Sequence, residues 1–155
     1  MSARLRAVLS DRDRACRAAI LARHGPASHG RGATLIGMGA EHPKATIDLE
    51  PERVAQWLGE QPGPQLIDVR EPHERDAGHL AGSRHVELGA LSAQAASIER
   101  TRPVIFYCRV GARSTMAAEA FRAAGYEAYS MAGGLVRWAG EGRPLSPEGG
   151  TVADH

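Results

Sequence analysis

The sequence predicts one α/β domain built on a parallel sheet, and three observations carry that expectation. Short apolar runs without polar alternation, in residues 65–69 and in Val104-Ile105-Phe106-Tyr107, suit strands buried on both faces. Stretches of helical period separate these runs. Tight glycine-bearing loops at residues 108–113 and 131–134 lead from a strand into a helix. A chain of 155 residues has room for one real core and is too short for two ordinary domains.

Residues 1–44 are expected to be an extension and linker that precede the domain. The first two dozen carry six arginines, Arg4, Arg6, Arg12, Arg14, Arg17 and Arg23, with Leu5, Val8, Ile20 and Leu21 as a thin apolar stripe. This pattern fits a surface-lying helix or a partner-binding helix. Asp11 and Asp13 argue against an organelle presequence, which is poor in acids. Cys16 reads as a small apolar residue or as a resolving thiol for Cys108. Residues 24–40 are rich in glycine and small side chains and read as a linker. Met38 is a candidate alternative start.

The domain is placed at residues 45–144. Residues 46–48 read as a strand, and Glu50-Pro51 opens a helix with proline at its first position. Val54, Trp57 and Leu58 share a face of that helix, which Gln61-Pro62-Gly63-Pro64 terminates. Residues 65–69 form the second strand, with Asp68 and Arg70 at its end, where sites gather in open parallel sheets. These two residues brace the active loop or form an ordinary ion pair; the sequence leaves both readings open. Glu71-Pro72 starts a helical turn containing Glu74. Residues 86–88 read as an edge strand, 91–99 as a helix, and 104–107 as the fourth strand. Residues 114–124 read as a helix with Ser114 as N-cap, burying Met116, Ala117, Ala120 and Phe121, with Gly125 at its end. Residues 126–130 form the fifth strand. The glycines of Met131-Ala132-Gly133-Gly134 let backbone approach the cysteine loop, and a short helix carries Leu135, Val136 and Trp138. Residues 145–155 read as a loose tail.

The net charge of +1 provides no basic field for nucleic acid. No apolar run approaches the roughly 18–20 residues of a membrane span, and no secretory segment is visible near Met1. With Cys16 and Cys108 its only cysteines, the chain fits a reducing compartment, the cytoplasm. The histidines lack the partners of a metal motif, so neither metal nor cofactor is expected.

The chemistry centres on Cys108. A thiolate is the reactive form of cysteine, and a free thiol titrates near ~8.5. Bringing it to about 7 requires roughly 2 kcal/mol. A helix end supplies typically 0.3–1 and at best ~2 kcal/mol, so loop N–H donors and Arg109 and Arg113 must add the rest. The expected result is an electropositive cup around one anionic sulfur.

Cys108-Arg109-Val110-Gly111-Ala112-Arg113-Ser114 resembles the active-site loop of the rhodanese sulfurtransferases. Leu66-Ile67-Asp68-Val69-Arg70-Glu71-Pro72, Glu74 and Gly78-His79-Leu80-Ala81-Gly82-Ser83 are similar to the family's first signature block. Gly133-Gly134-Leu135, with Trp138, Gly142 and Pro144, is similar to its closing block. The chain departs from the family at Ala81, Ser83 and Glu87, where proline, alanine and proline are usual. The resemblance implies a three-layer fold with a five-stranded parallel sheet in the order 3-2-4-5-1 and helices on both faces. It implies that Cys108 takes a sulfur from a donor such as thiosulfate, becomes a persulfide, and passes the sulfur to cyanide, a thiol or a sulfur-carrier protein. Arg109 and Arg113 would hold the donor's oxyanion end, and backbone N–H groups from Arg109 to Ser114 would hold the persulfide. His79, in the structural block, reads as a backbone-bonding residue rather than a general base. A cysteine phosphatase or arsenate reductase is the rival on this fold. Those enzymes carry five residues between cysteine and arginine, whereas this chain has four, Arg109 to Ala112. The shorter loop makes a cup suited to one sulfur rather than to a phosphoryl group with three oxygens. A non-catalytic docking module is the third reading, opposed by the intact Cys108.

Overall fold

The computed structural model describes residues 46–155. The readings placed on residues 1–45, including the arginine-rich helix, Cys16, the linker and Met38, lie outside the described residues. Strand β1 spans Asp48–Leu49, helix α1 Pro51–Leu58, β2 Gln65–Asp68, α2 Pro72–Ala77 and β3 Arg84–His85. A short helix α3, Leu91–Gln94, is flanked by 3-10 turns at Leu88–Ala90 and Ala95–Ser97. Then come β4 Val104–Tyr107, α4 Ala112–Ala123, β5 Ala128–Met131 and α5 Gly134–Gly140.

All five strands are parallel in the order β1-β5-β4-β2-β3, the predicted order read from its other edge. β4 lies at the centre and all four of its residues are buried. Its side chains alternate between faces, and so define the two cores. Val104, Phe106 and Cys108 belong to the core that includes Ala117, Ala118 and Phe121 of α4. The Phe106 and Phe121 rings meet edge to face at 4.9 Å. Ile105 and Tyr107 belong to the opposite core, with Val54 and Trp57 of α1 and Leu135 and Trp138 of α5. Trp57 and Trp138 are core residues, as expected. The layers place the end of β4, and Cys108 with it, between the two sets of helices.

Several boundaries depart from the sequence reading. β1 starts at Asp48 rather than residue 46, and β5 at Ala128 rather than 126. The edge strand is Arg84–His85, two residues early, although Val86 and Leu88 still donate to Asp68 and Val69 carbonyls at 3.0 and 3.1 Å. The helix predicted at 91–99 holds only to Gln94. There the Ser97 hydroxyl donates to the Gln94 carbonyl at 2.6 Å, competing with a helical bond. Met116 is not buried but 51% exposed. The inward stripe of α4 is Ser114, Ala117, Ala118 and Phe121, an i, i+3, i+4, i+7 pattern that leaves residue 116 outside.

The predicted loose tail is tied down instead. Ser146 and His79 exchange backbone hydrogen bonds at 2.7 and 2.9 Å, and Thr151 N–H donates to the Ala77 carbonyl at 2.8 Å. Among the described residues, no helix is long and apolar enough to cross a membrane.

Candidate active site around Cys108

Cys108 follows directly on β4 and is 1% exposed, so its sulfur is recessed at the head of α4. The predicted N-cap, Ser114, is the third residue of the helix; the cap is Gly111, with φ 107°. That left-handed backbone, open to glycine and costly to other residues, turns the loop sharply into the helix. The early start brings the Gly111 N–H to donate to Cys108 Sγ at 3.1 Å. Ala112, Arg113 and Ser114 then supply first-turn N–H groups that no carbonyl within the helix can accept. This arrangement puts donors and the positive helix end beside the sulfur.

Ser114 is fully buried and works through its side chain. Its hydroxyl lies 3.6 Å from Cys108 Sγ, 3.0 Å from the Gly111 carbonyl and 2.8 Å from the Ser130 hydroxyl. Ser130 in turn lies 3.2 Å from the Thr115 hydroxyl, which donates to Asp48 at 3.1 Å. The sequence reading missed Ser130, because only strand pairing brings β5 beneath the loop.

The two arginines expected to hold a donor oxyanion already hold carboxylates. Arg113 forms two 2.7 Å hydrogen bonds to Glu74, which is fully buried. Its paired hydrogen bonds to Glu74 raise the Arg113 pKa against the opposing effect of burial, and the nearby Cys108 sulfur adds to the rise. Burial alone would raise the Glu74 carboxyl. Hydrogen bonds from Arg113 and the Glu71 N–H, with the charges of Arg113 and Arg70, outweigh it and lower the carboxyl from 4.5 to about 2. Arg109 donates to the Ala153 carbonyl at 3.2 Å and to Asp154 at 2.5 Å. Val110, between Arg109 and the cap, is 53% exposed.

Asp68 and Arg70 are fully buried and bind each other through two side-chain bonds, at 2.9 and 2.7 Å, and through the Arg70 backbone N–H, which donates to Asp68 at 3.1 Å. Arg70 also donates to the carbonyls of Glu74 and Gly78, at 3.0 and 2.8 Å. The pair is thus an ion pair that holds the turn carrying Glu74, one step removed from the loop. Tyr107 donates to Asp68 at 3.0 Å; burial and the Asp68 charge push its phenol up to about 12. The departure at Ser83 has a partner as well, since its hydroxyl donates to the Leu80 carbonyl at 2.7 Å and meets Tyr107 at 2.9 Å. His79 Nδ1 faces the Arg75 carbonyl at 3.2 Å, in keeping with a backbone-bonding role.

Glu74 carried a legible signal. Glu71 and Glu74 flank Pro72 in a capping box, in which the Glu74 side chain accepts from the Glu71 N–H at 3.0 Å. Its pairing with Arg113 was not legible, because the partners lie far apart in the chain. The second glycine loop does approach the first. Leu135 and Val136 N–H groups donate to the carbonyls of Cys108 and Arg109 at 2.9 and 3.0 Å.

The family model for the rhodanese-like domain matches residues 50–141, more than half of the chain. YqhL of Bacillus subtilis is 41% identical over 78 residues, which cover 50% of this chain and 62% of that protein. A protein of Allochromatium vinosum named sulfurtransferase is 30% identical over 104 residues, 66% of this chain and 97% of that one. The solved structure of a rhodanese-related protein from Thermoplasma volcanium superposes with a TM-score of 0.61 at 26% identity, covering 65% of this chain and 98% of its own. With the sheet order, the cysteine loop and the family match in agreement, the chain belongs to the rhodanese-like domain family.

Proposed function

We propose that this chain is a sulfurtransferase that carries sulfane sulfur as a persulfide on Cys108, taking it from a donor such as thiosulfate and delivering it to a thiophilic acceptor. The observation that carries the reading is the Cys108 sulfur, recessed at the head of a 12-residue helix with the Gly111 N–H donating to it at 3.1 Å. The Cys108 thiolate attacks the outer sulfur of thiosulfate. One S–S bond forms, the donor S–S bond breaks, and sulfite leaves with its electron pair. The charge arriving on the new terminal sulfur is met by first-turn N–H groups of α4 and the Ser114 hydroxyl. Arg113, held by Glu74, adds fixed positive charge beside it. An acceptor such as cyanide, a thiol or a sulfur-carrier protein then attacks the terminal sulfur and returns the Cys108 thiolate. Asp68 and Arg70 act at a distance, by holding Glu74. The cycle needs no resident cofactor or metal, and the cytoplasm, where thiols stay reduced, suits it.

The test is turnover with thiosulfate and cyanide. Thiocyanate should form with the wild-type chain and fall to the uncatalysed rate with Cys108→Ala. Hydrolysis of a phosphate ester without thiocyanate would replace this reading with the phosphatase one.

A further inference from the structure

Building on the sulfur-transfer reading, we propose that Asp154 is a specificity-determining residue that competes with oxyanionic donors for Arg109. The site thereby favours organic hydropersulfides, which carry no oxyanion group, over thiosulfate.

The tail that delivers Asp154 is held along its length. It is fastened first where Ser146 pairs with His79 and again where Thr151 N–H meets the Ala77 carbonyl. The second fastening requires a glycine opposite it. A Cβ on Gly78 would lie 2.5 Å from the Thr151 carbonyl oxygen. Gly150 is turned in by its own bond to the Pro147 carbonyl at 2.8 Å. Three residues beyond Thr151, Asp154 reaches the Arg109 guanidinium at 2.5 Å, while the Ala153 carbonyl takes its Nε–H.

Arg109 directly follows the nucleophile, and the other cation of the loop, Arg113, is closed onto Glu74. Each guanidinium beside Cys108 therefore carries its own carboxylate. A thiosulfate dianion must displace Asp154 to gain Arg109, and it approaches an extra negative charge while doing so. An organic hydropersulfide, R–S–SH, has no oxyanion group for an arginine to hold and carries at most one negative charge against the two of thiosulfate. The terminal sulfur of its protonated form meets the Cys108 thiolate, a new S–S bond forms, the donor S–S bond breaks, and R–S⁻ leaves with the electron pair while the proton stays on the new persulfide. Exposed apolar side chains next to Arg109 can receive its R group. Val110 is 53% exposed and Val136, whose N–H donates to the Arg109 carbonyl, is 42% exposed.

The test measures kcat/KM for sulfur loading of the full chain from thiosulfate and from a hydropersulfide with an uncharged alkyl R group. It compares wild type, Asp154→Asn, Arg109→Gln and the double variant. Asp154 is 91% exposed, so its replacement leaves the fold intact. Asp154→Asn should raise the thiosulfate-to-hydropersulfide ratio about two- to fivefold, the range of an exposed ion pair. The gain should come through KM and shrink at high salt. In the Arg109→Gln background the same replacement should change nothing. An unchanged ratio, or an equal gain without Arg109, overturns the role of Asp154. Wild-type chain that loads sulfur from neither donor overturns the sulfur-transfer reading itself.

Discussion

Replacing Glu74 by glutamine is expected to cost the fold about 3 kcal/mol at neutral pH. The fall of this carboxyl from 4.5 to about 2 corresponds to that amount. It agrees with the usual penalty of a broken buried pair, roughly 3–5 kcal/mol. The pH dependence has a definite sign. A carboxyl whose pKa is depressed in the folded state contributes fully above 4.5, and the contribution is lost as pH falls toward 2. Urea unfolding of the wild-type chain should therefore show stability declining through that acid window. Glu74→Gln should start lower and lack this part of the slope. The variant should also load sulfur more slowly, because Arg113 trades two 2.7 Å bonds to a carboxylate for at most one to a neutral amide oxygen. Parallel acid profiles for the two proteins would show that Glu74 does not carry the charge assigned to it.

The second large effect is expected at Gly134. Its φ is +59°, and a Cβ there would lie 2.5 Å from the Arg109 carbonyl oxygen and 2.6 Å from that of Cys108. All of these contacts are backbone, so the strain has no flexible side chain to absorb it. Gly134→Ala must push the cysteine loop away from α5 and break the bonds from Leu135 and Val136 to its carbonyls. Overpacking of this kind costs roughly 1–3 kcal/mol. A displacement near 1 Å at the reacting atom lowers rate by about a hundredfold. Gly142→Ala is the control. Its φ is +74° but nothing lies within 4 Å of the added Cβ, so it bears only the left-handed strain, roughly 1–2 kcal/mol. Thermal unfolding should register both variants, and the sulfur-loading rate should fall only for Gly134→Ala. Equal loading by the two variants would detach the second glycine loop from the site.

What the sequence made legible was mainly local. Val104 to Tyr107 reads as a buried strand, the residues after it as a tight loop, and the run to Ala124 as a helix; the structure has all three, with the helix ending at Ala123. The strand order was legible only through the family resemblance, because strands of two residues such as β1 and β3 carry too little pattern to show their neighbours. Ser114 was mistaken for the cap because serine is a good cap by type. Gly111 takes the position because only a positive φ turns the chain quickly enough to bring its N–H to the sulfur. Pairings distant in the chain were not legible at all. Glu74 with Arg113, Ser130 with Ser114, and Asp154 with Arg109 arise from the fold, and no short-range spacing marks them. For the same reason the arginines were legible as cations at the loop but not as cations already paired.

The most direct measurement is the intact mass of the full chain after exposure to a sulfur donor and removal of the excess. A gain of about 32 Da, one sulfur atom, should appear on Cys108, disappear on adding cyanide, and be absent from Cys108→Ala, as an activated thiolate at this position requires. A chain that stays unmodified with thiosulfate and with an organic hydropersulfide alike, or that gains its sulfur equally well without Cys108, would contradict the account.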